Sequence, residues 1–308
     1  MSIQLLADIF LQIILMTGFG VILKKKDILT ERMQDELSAL LIRAVLPISV
    51  LASSQAEYSR SVLKGMLLSA AIATVYYIIS FAVGLFISRL IYGTTSRGRI
   101  FVLMNVFANV GFIGMPLAEA LCGKTGFLYA VIYNLVYQAF LTLYGIPLLD
   151  SSAKKDWYQS LKDPLIIVSA VAIILFILPF RFPVAVTSAL DTIGGMMVPL
   201  SMMIIGGDLA KDRIRTIISE KEAFIVCGIR LLLFPIIMMI VLKLLGVETG
   251  VAVPMILLTA LPCGSLNVIL AKEYHCEPEF ASRTVILSMI LMIVTLPLIL
   301  ASLNWAGI

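Results

Sequence analysis

The chain has 308 residues, of which 60% are hydrophobic and 14% are charged. This composition excludes a soluble globular protein and indicates a polytopic, all-α integral membrane protein. The formal net charge of +4 comes from basic residues in short loops between apolar stretches, so it does not indicate a nucleic-acid-binding surface. The four cysteines have neither disulfide nor metal-ligand spacing, and we expect no cofactor and no metal site.

Ten apolar stretches approach the roughly 20 residues that a helix needs to cross about 30 Å of hydrocarbon. They lie at residues 3–23, 37–54, 62–88, 100–122, 125–149, 164–180, 184–209, 222–245, 251–271 and 280–303. Most Lys and Arg residues of the loops fall in the odd-numbered loops, which predicts that these loops are cytoplasmic. We therefore expect both termini on the extracytoplasmic side of the plasma (inner) membrane.

Several prolines recur at a spacing close to half the chain. Pro47 and Pro199 are 152 residues apart, and Pro147 and Pro297 are 150 apart. These spacings predict two repeats of five spans each, and an odd number of spans forces the second repeat to enter the membrane inverted. The predicted domains are a first repeat at residues 1–149, a short cytoplasmic linker at 150–163 and a second repeat at 164–308.

Two of the ten stretches contain residues that interrupt helices. The fourth includes MNVFANVGFIGMPLAEALCG at 104–123, and the ninth includes LLTALPCGSLNVILAKEYH at 257–275. Interrupted helices at corresponding positions of inverted halves are typical of transport sites, because the break frees backbone groups and creates charged helix ends inside the membrane. The candidate substrate-binding residues are Asn109, Gly111, Gly114, Pro116, Pro262, Gly264, Ser265 and Asn267.

The fifth span carries polar residues one helical turn apart, Asn134 and Gln138. Such a stripe either lines a substrate path or forms hydrogen bonds between neighbouring helices. We retain both residues as candidate substrate-binding residues.

Four charged residues lie within or at the ends of apolar spans: Arg43, Arg230, Glu119 and Asp208. We interpret the two arginines as side chains that reach to the membrane interface, with attraction of an anionic substrate as the alternative. Glu119 either binds a coupling proton or lies in a wet vestibule without a role. Asp208 is interpreted as locally paired, with ion coupling as the alternative.

The motif N-V-G-F-I-G-M-P-L at 109–117 resembles the fourth-span signature of the auxin efflux carrier family, which includes the plant PIN-FORMED transporters. The resemblance implies ten helices in two inverted repeats, with the fourth and ninth helices broken at prolines and crossing at the substrate site. It identifies Pro116 and Pro262 as the crossover prolines and Asn109 as a substrate-binding asparagine. The short central loop lacks the long insert of plant members, so auxin specificity is not carried over.

The predicted function is secondary-active or facilitative transport of a small organic anion by alternating access. The family resemblance implies a carboxylate such as a dicarboxylate or an auxin-like weak acid. The alternative is a sodium-coupled symporter resembling the bile acid–sodium symporter family. The sequence lacks the paired acids or histidine sets of an intramembrane enzyme, so we expect no enzymatic activity. The expected partners are the anion, the lipid bilayer, a coupling proton or sodium ion, and a second copy in a homodimer.

Overall fold

The computed structural model describes residues 3–150, 164–178, 180–210 and 220–306, and most of these residues are helical. The helices are α1 Ile3–Lys25, α2 Glu31–Ser53, α3 Arg60–Tyr92, α4 Ser96–Val106, α5 Val110–Leu149, α6 Pro164–Ile177, α7 Val184–Leu209, α8 Lys221–Leu244, α9 Thr249–Thr259, α10 Leu266–Glu273 and α11 Pro278–Ala306. The all-α class is therefore confirmed for the described part of the chain.

Six helices are long and apolar enough to cross a membrane, namely α2, α3, α5, α7, α8 and the Pro278–Leu303 part of α11. Large apolar side chains on them are exposed, including Leu67 at 68% and Leu298 at 61%. Lipid solvates such a surface, whereas water does not. The protein is an integral membrane protein, and the count of ten crossings stays a prediction.

The boundary between the predicted fourth and fifth spans falls at a glycine inside α5. Gly123 has φ 66° and ψ −167°, a conformation that is open almost only to glycine. The chain therefore leaves the helical path at this residue and resumes it at Lys124. The predicted linker at 150–163 lies outside the described residues except for Asp150, and the division into two repeats stays a prediction.

Helix α2 begins six residues before the apolar stretch that predicted it. Its start is fixed by Thr30, whose side-chain oxygen accepts a hydrogen bond from the Met33 N–H at 3.2 Å. An exposed ion pair between Arg32 and Glu36 follows in the first turns. These turns are polar, so an apolar-length criterion could not include them.

Four helical turns widen to a π-helical pattern immediately before a proline. They lie at Leu41–Val45, Val110–Gly114, Leu141–Gly145 and Ile229–Leu233, and the prolines that follow are Pro47, Pro116, Pro147 and Pro235. A proline ring clashes with the carbonyl four residues earlier and cannot donate a backbone hydrogen bond. The wider turn relieves that clash, so the helix continues through each proline.

Helices α1 and α7 pack closely through glycines. A Cβ atom on Gly206 would lie 2.1 Å from the Thr17 carbonyl oxygen, and one on Gly20 would lie 2.3 Å from the Met203 carbonyl oxygen. Small residues that let backbones approach are the usual basis of helix association in membranes. The backbones of this pair are therefore in direct contact at the two glycines.

Candidate functional site

The two predicted interruptions are present, and they contact each other. Residues 107–109 separate α4 from α5, and residues 260–265 separate α9 from α10. The Asn109 N–H donates to the Pro262 carbonyl at 2.9 Å, and the Gly264 N–H donates to the Phe107 carbonyl at 3.0 Å. These bonds form an antiparallel β-bridge between Ala108 and Cys263. We call this arrangement the bridge.

Two of the candidate glycines lie where a side chain would collide. A Cβ atom on Gly264 would lie 2.9 Å from the Ala108 carbonyl oxygen and 3.1 Å from that of Phe107, both of which belong to the bridge. One on Gly114 would meet the Leu261 side chain at 2.5 Å. Gly111 has nothing within 4 Å of its Cβ position. The sequence did not distinguish these three glycines, and the structure does.

The break in the fourth segment does not lie at Pro116, in contrast to what the family resemblance implies. It ends at Asn109, whose side-chain oxygen accepts a hydrogen bond from the Phe112 N–H at 3.2 Å and so caps α5. Pro116 is buried within the continuing helix, beyond the widened turn that accommodates its ring. In the ninth segment the break does lie at the proline, as the resemblance implies: Pro262 is inside the break, and its carbonyl accepts the hydrogen bond from the Asn109 N–H.

The N-terminal ends of α5 and α10 are joined through their cap residues. Ser265 occupies the cap position of α10, and the Asn109 amide Nδ2 donates to the Ser265 hydroxyl at 3.2 Å. Each helix N-terminus carries about half a positive charge. Two positive helix ends therefore lie beside one another, and both cap side chains have hydrogen-bonding groups at this point.

The C-terminal end of α4 is held by Asn267. Its amide Nδ2 donates to the Phe107 carbonyl at 2.8 Å and to the Leu103 carbonyl at 3.4 Å. Asn267 is fully buried. This candidate residue therefore adds a side-chain hydrogen bond to two carbonyls that also accept backbone hydrogen bonds, and it ties the start of α10 to the last turn of α4.

Arg230 binds carbonyls at both breaks. From α8 its Nε donates to the Leu261 carbonyl, just past α9, at 3.1 Å, and its Nη1 donates to the Asn105 carbonyl in the last turn of α4 at 3.4 Å. Nη1 also donates to the Tyr76 hydroxyl of α3. The side chain is 0% exposed. The interpretation that it reaches to the membrane interface is therefore wrong for Arg230.

Arg43 differs from Arg230 although both lie in a widened turn before a proline. Arg43 is exposed, as an interfacial side chain would be. The difference arises from which helix face is covered, because Arg230 projects into a cluster of buried tyrosines that contains Tyr76, Tyr77 and Tyr133. Those aromatic residues were not among the sequence candidates.

The remaining candidates lie apart from the bridge. Within the described residues, no hydrogen bond joins Asn134 or Gln138 to the bridge. The fifth span contacts the bridge through Tyr137, whose ring packs edge-on against Phe107 at 5.4 Å. Asp208 accepts a hydrogen bond from the Gln34 side chain of α2 at 2.8 Å, and the basic residues of the loop predicted beside it, at 211–215, lie outside the described residues. Glu119 lies near an ion pair that joins α5 to α7, in which Lys124 Nζ is 2.8 Å from Asp191 Oδ1.

Sequence reasoning also missed Ser288, which lies on α11, as part of the site. Its hydroxyl accepts a hydrogen bond from the Cys263 N–H at 3.0 Å and so satisfies a backbone donor of the ninth-segment break. A serine in an apolar helix that faces a predicted break was the only available signal.

The protein is thus an all-helical membrane protein with two interrupted helices that meet at their breaks, an arrangement typical of secondary transporters. The chain belongs to the membrane transport protein family, that of the auxin efflux carriers, whose sequence model matches residues 7–156 and 149–300. This confirms the resemblance carried by the motif at 109–117.

Two relatives are named as transporters. The chain is 27% identical over 196 residues to an uncharacterised transporter of Methanothermobacter thermautotrophicus, an alignment that covers 62% of this chain and 63% of that protein. It is 22% identical over 232 residues to a protein of Rhizobium meliloti named as a candidate malonate transporter, covering 72% of this chain and 71% of that protein. The chain therefore spans less than two thirds of the first relative's length.

Proposed function

We propose that the protein is a secondary-active or facilitative carrier of a small organic anion, and that it works by alternating access. The proposal rests on one observation above all: the N-terminal ends of α5 and α10 meet through Asn109 and Ser265. Two positive helix ends attract a carboxylate without a buried lysine or arginine in contact with it. Family membership supports transport rather than catalysis.

The substrate class is proposed from the same electrostatics. A dicarboxylate presents two negative groups to two helix ends, and the relative from Rhizobium meliloti is named for malonate. Malonate is therefore the first substrate to test, with auxin-like weak acids as a second class.

The proposed architecture has ten crossings in two inverted five-helix repeats. Segment four (α4 and the first part of α5) and segment nine (α9 and α10) cross at the bridge. Their corresponding positions, well past the middle of each half of the chain, support this arrangement. Both termini face the extracytoplasmic side of the plasma membrane.

The decisive variant is Asn109→Asp, compared with Asn109→Ala. Aspartate caps a helix as well as asparagine does, so the Asp variant keeps the fold but places a negative charge where the substrate carboxylate binds. At about 5 Å and an effective dielectric constant near 20, this repulsion is about 3 kcal/mol, or roughly 200-fold in Kd. The Ala variant loses one hydrogen bond to a charged group, which predicts a roughly 10- to 100-fold loss.

Malonate binding is measured by thermal stabilisation of the purified protein, and transport by counterflow in proteoliposomes. Thr74→Ala is the control, because among the described residues the Thr74 hydroxyl donates only to the Ala70 carbonyl of its own helix, at 2.8 Å. An Asp variant that binds malonate as tightly as the natural protein would refute an anion site at these helix ends.

A further inference from the structure

The two C-terminal helix ends at the bridge are already occupied by a cation that belongs to the protein. In sodium-coupled carriers with broken helices, unwound carbonyls and C-terminal half-helix ends coordinate the coupling ion. Here the corresponding carbonyls, those of Asn105 and Leu261, accept hydrogen bonds from Arg230 at 3.4 and 3.1 Å. The guanidinium therefore lies where a coupling cation would bind.

The charges at this position balance without any further ion. Each helix C-terminus carries about half a negative charge, so the ends of α4 and α9 together carry about one, which matches a guanidinium that stays protonated in proteins. Arg230 donates hydrogen bonds to three groups, two carbonyls and the Tyr76 hydroxyl, and all three are uncharged. The charge of Arg230 is thus offset by helix ends and not by a carboxylate among the described residues.

We infer that Arg230 is a positioning residue that replaces a coupling sodium ion: its guanidinium neutralises the two C-terminal helix ends, which leaves the two N-terminal ends to act on the anion. Transport is then independent of sodium. A free sodium ion would meet both a like charge and carbonyls that already have a donor. The inference rests on the proposed anion transport, and it separates this protein from the sodium-coupled alternative.

The first measurement compares malonate counterflow by the natural protein in sodium and in choline medium. We expect rates that agree within about twofold. The second measurement uses Arg230→Ala, which removes the guanidinium group and leaves space for a small cation from the medium. We expect at least a tenfold loss of counterflow, with partial recovery in millimolar guanidinium and none in equal urea, which has a similar shape and no charge.

Two further variants separate this role from simple packing. Arg43→Met is the matched control, because Arg43 also lies in a widened turn before a proline but is exposed, and its rate should not change. Arg230→Lys keeps the charge and loses the planar fork, so it should fold, transport more slowly and remain independent of sodium.

Thermal unfolding gives a readout that does not need transport. Guanidinium, but not urea, should raise the unfolding temperature of Arg230→Ala, and sodium should not change that of the natural protein. If malonate and other carboxylates are not transported at all, the proposed function fails, and these shifts still decide the role of Arg230. Sodium-dependent counterflow by the natural protein, or an Arg230→Ala variant that is fully active or that guanidinium and urea affect equally, would overturn the inference.

Discussion

Gly264 lies at a close backbone contact in the site, and its replacement by alanine tests whether the bridge holds the two broken segments together. The new Cβ atom would lie 2.9 and 3.1 Å from the Ala108 and Phe107 carbonyl oxygens, closer than ordinary van der Waals contact. Both atoms belong to backbone, so the two segments must separate. The 3.0 Å bond from the Gly264 N–H to the Phe107 carbonyl would then lengthen or break.

The expected loss follows from that bond. A buried donor left without a partner costs about 1–3 kcal/mol, and the adjacent bond of the bridge contributes about 1 kcal/mol more. We therefore expect Gly264→Ala to destabilise the protein by about 2–4 kcal/mol.

Gly111→Ala is the matched control, because nothing lies within 4 Å of its Cβ position. It exchanges a glycine for alanine inside a helical turn, which should leave stability unchanged or raise it by up to about 1 kcal/mol. Thermal unfolding of both variants in the same detergent, followed by intrinsic fluorescence, gives the comparison. If both variants unfold at the same temperature, the bridge does not restrain the two segments.

Two other predictions concern contacts outside the bridge. Gly206→Ala should weaken the packing of α1 on α7 and lower the unfolding temperature, whereas Gly18→Ala should not, since a Cβ atom there meets nothing within 4 Å; equal effects would contradict the close-packing interpretation. Reversing the charge at Lys124 should change the malonate exchange rate by no more than about fivefold, because a partly exposed ion pair contributes at most about 1 kcal/mol. The exchanged pair Lys124→Glu with Asp191→Lys should restore the rate, and failure to do so would indicate that the pair does not act as a unit.

The helical class and the two interruptions could be predicted because both depend on local chemistry. Apolar length defines a membrane helix, and clustered glycine, proline and asparagine residues weaken one. The exact position of the fourth-segment break could not be predicted from Pro116, because a single widened turn removes the steric conflict that a proline normally creates. The break lies instead where Asn109 can cap the following helix.

The different environments of Arg43 and Arg230 could not be predicted for a different reason. Both lie in apolar spans a few residues before a proline, so their local sequences are alike. Arg230 is buried by tertiary packing, in which α3, α4 and the end of α9 cover one face of α8, and the local sequence does not reveal this packing. The same holds for Asn134 and Gln138. Their spacing predicts that they share one face of a helix, but it does not predict which neighbouring helix packs against that face.

The two broken segments are joined by main-chain hydrogen bonds as well as by side chains, and the main-chain bonds have a consequence for how a solute crosses. A rearrangement that keeps the Asn109–Pro262 and Gly264–Phe107 bonds must carry the starts of α5 and α10 together as one rigid piece. A bound solute would then keep the same neighbours from loading to release. Its exposure to one side or the other would change only as the helices around that piece shift.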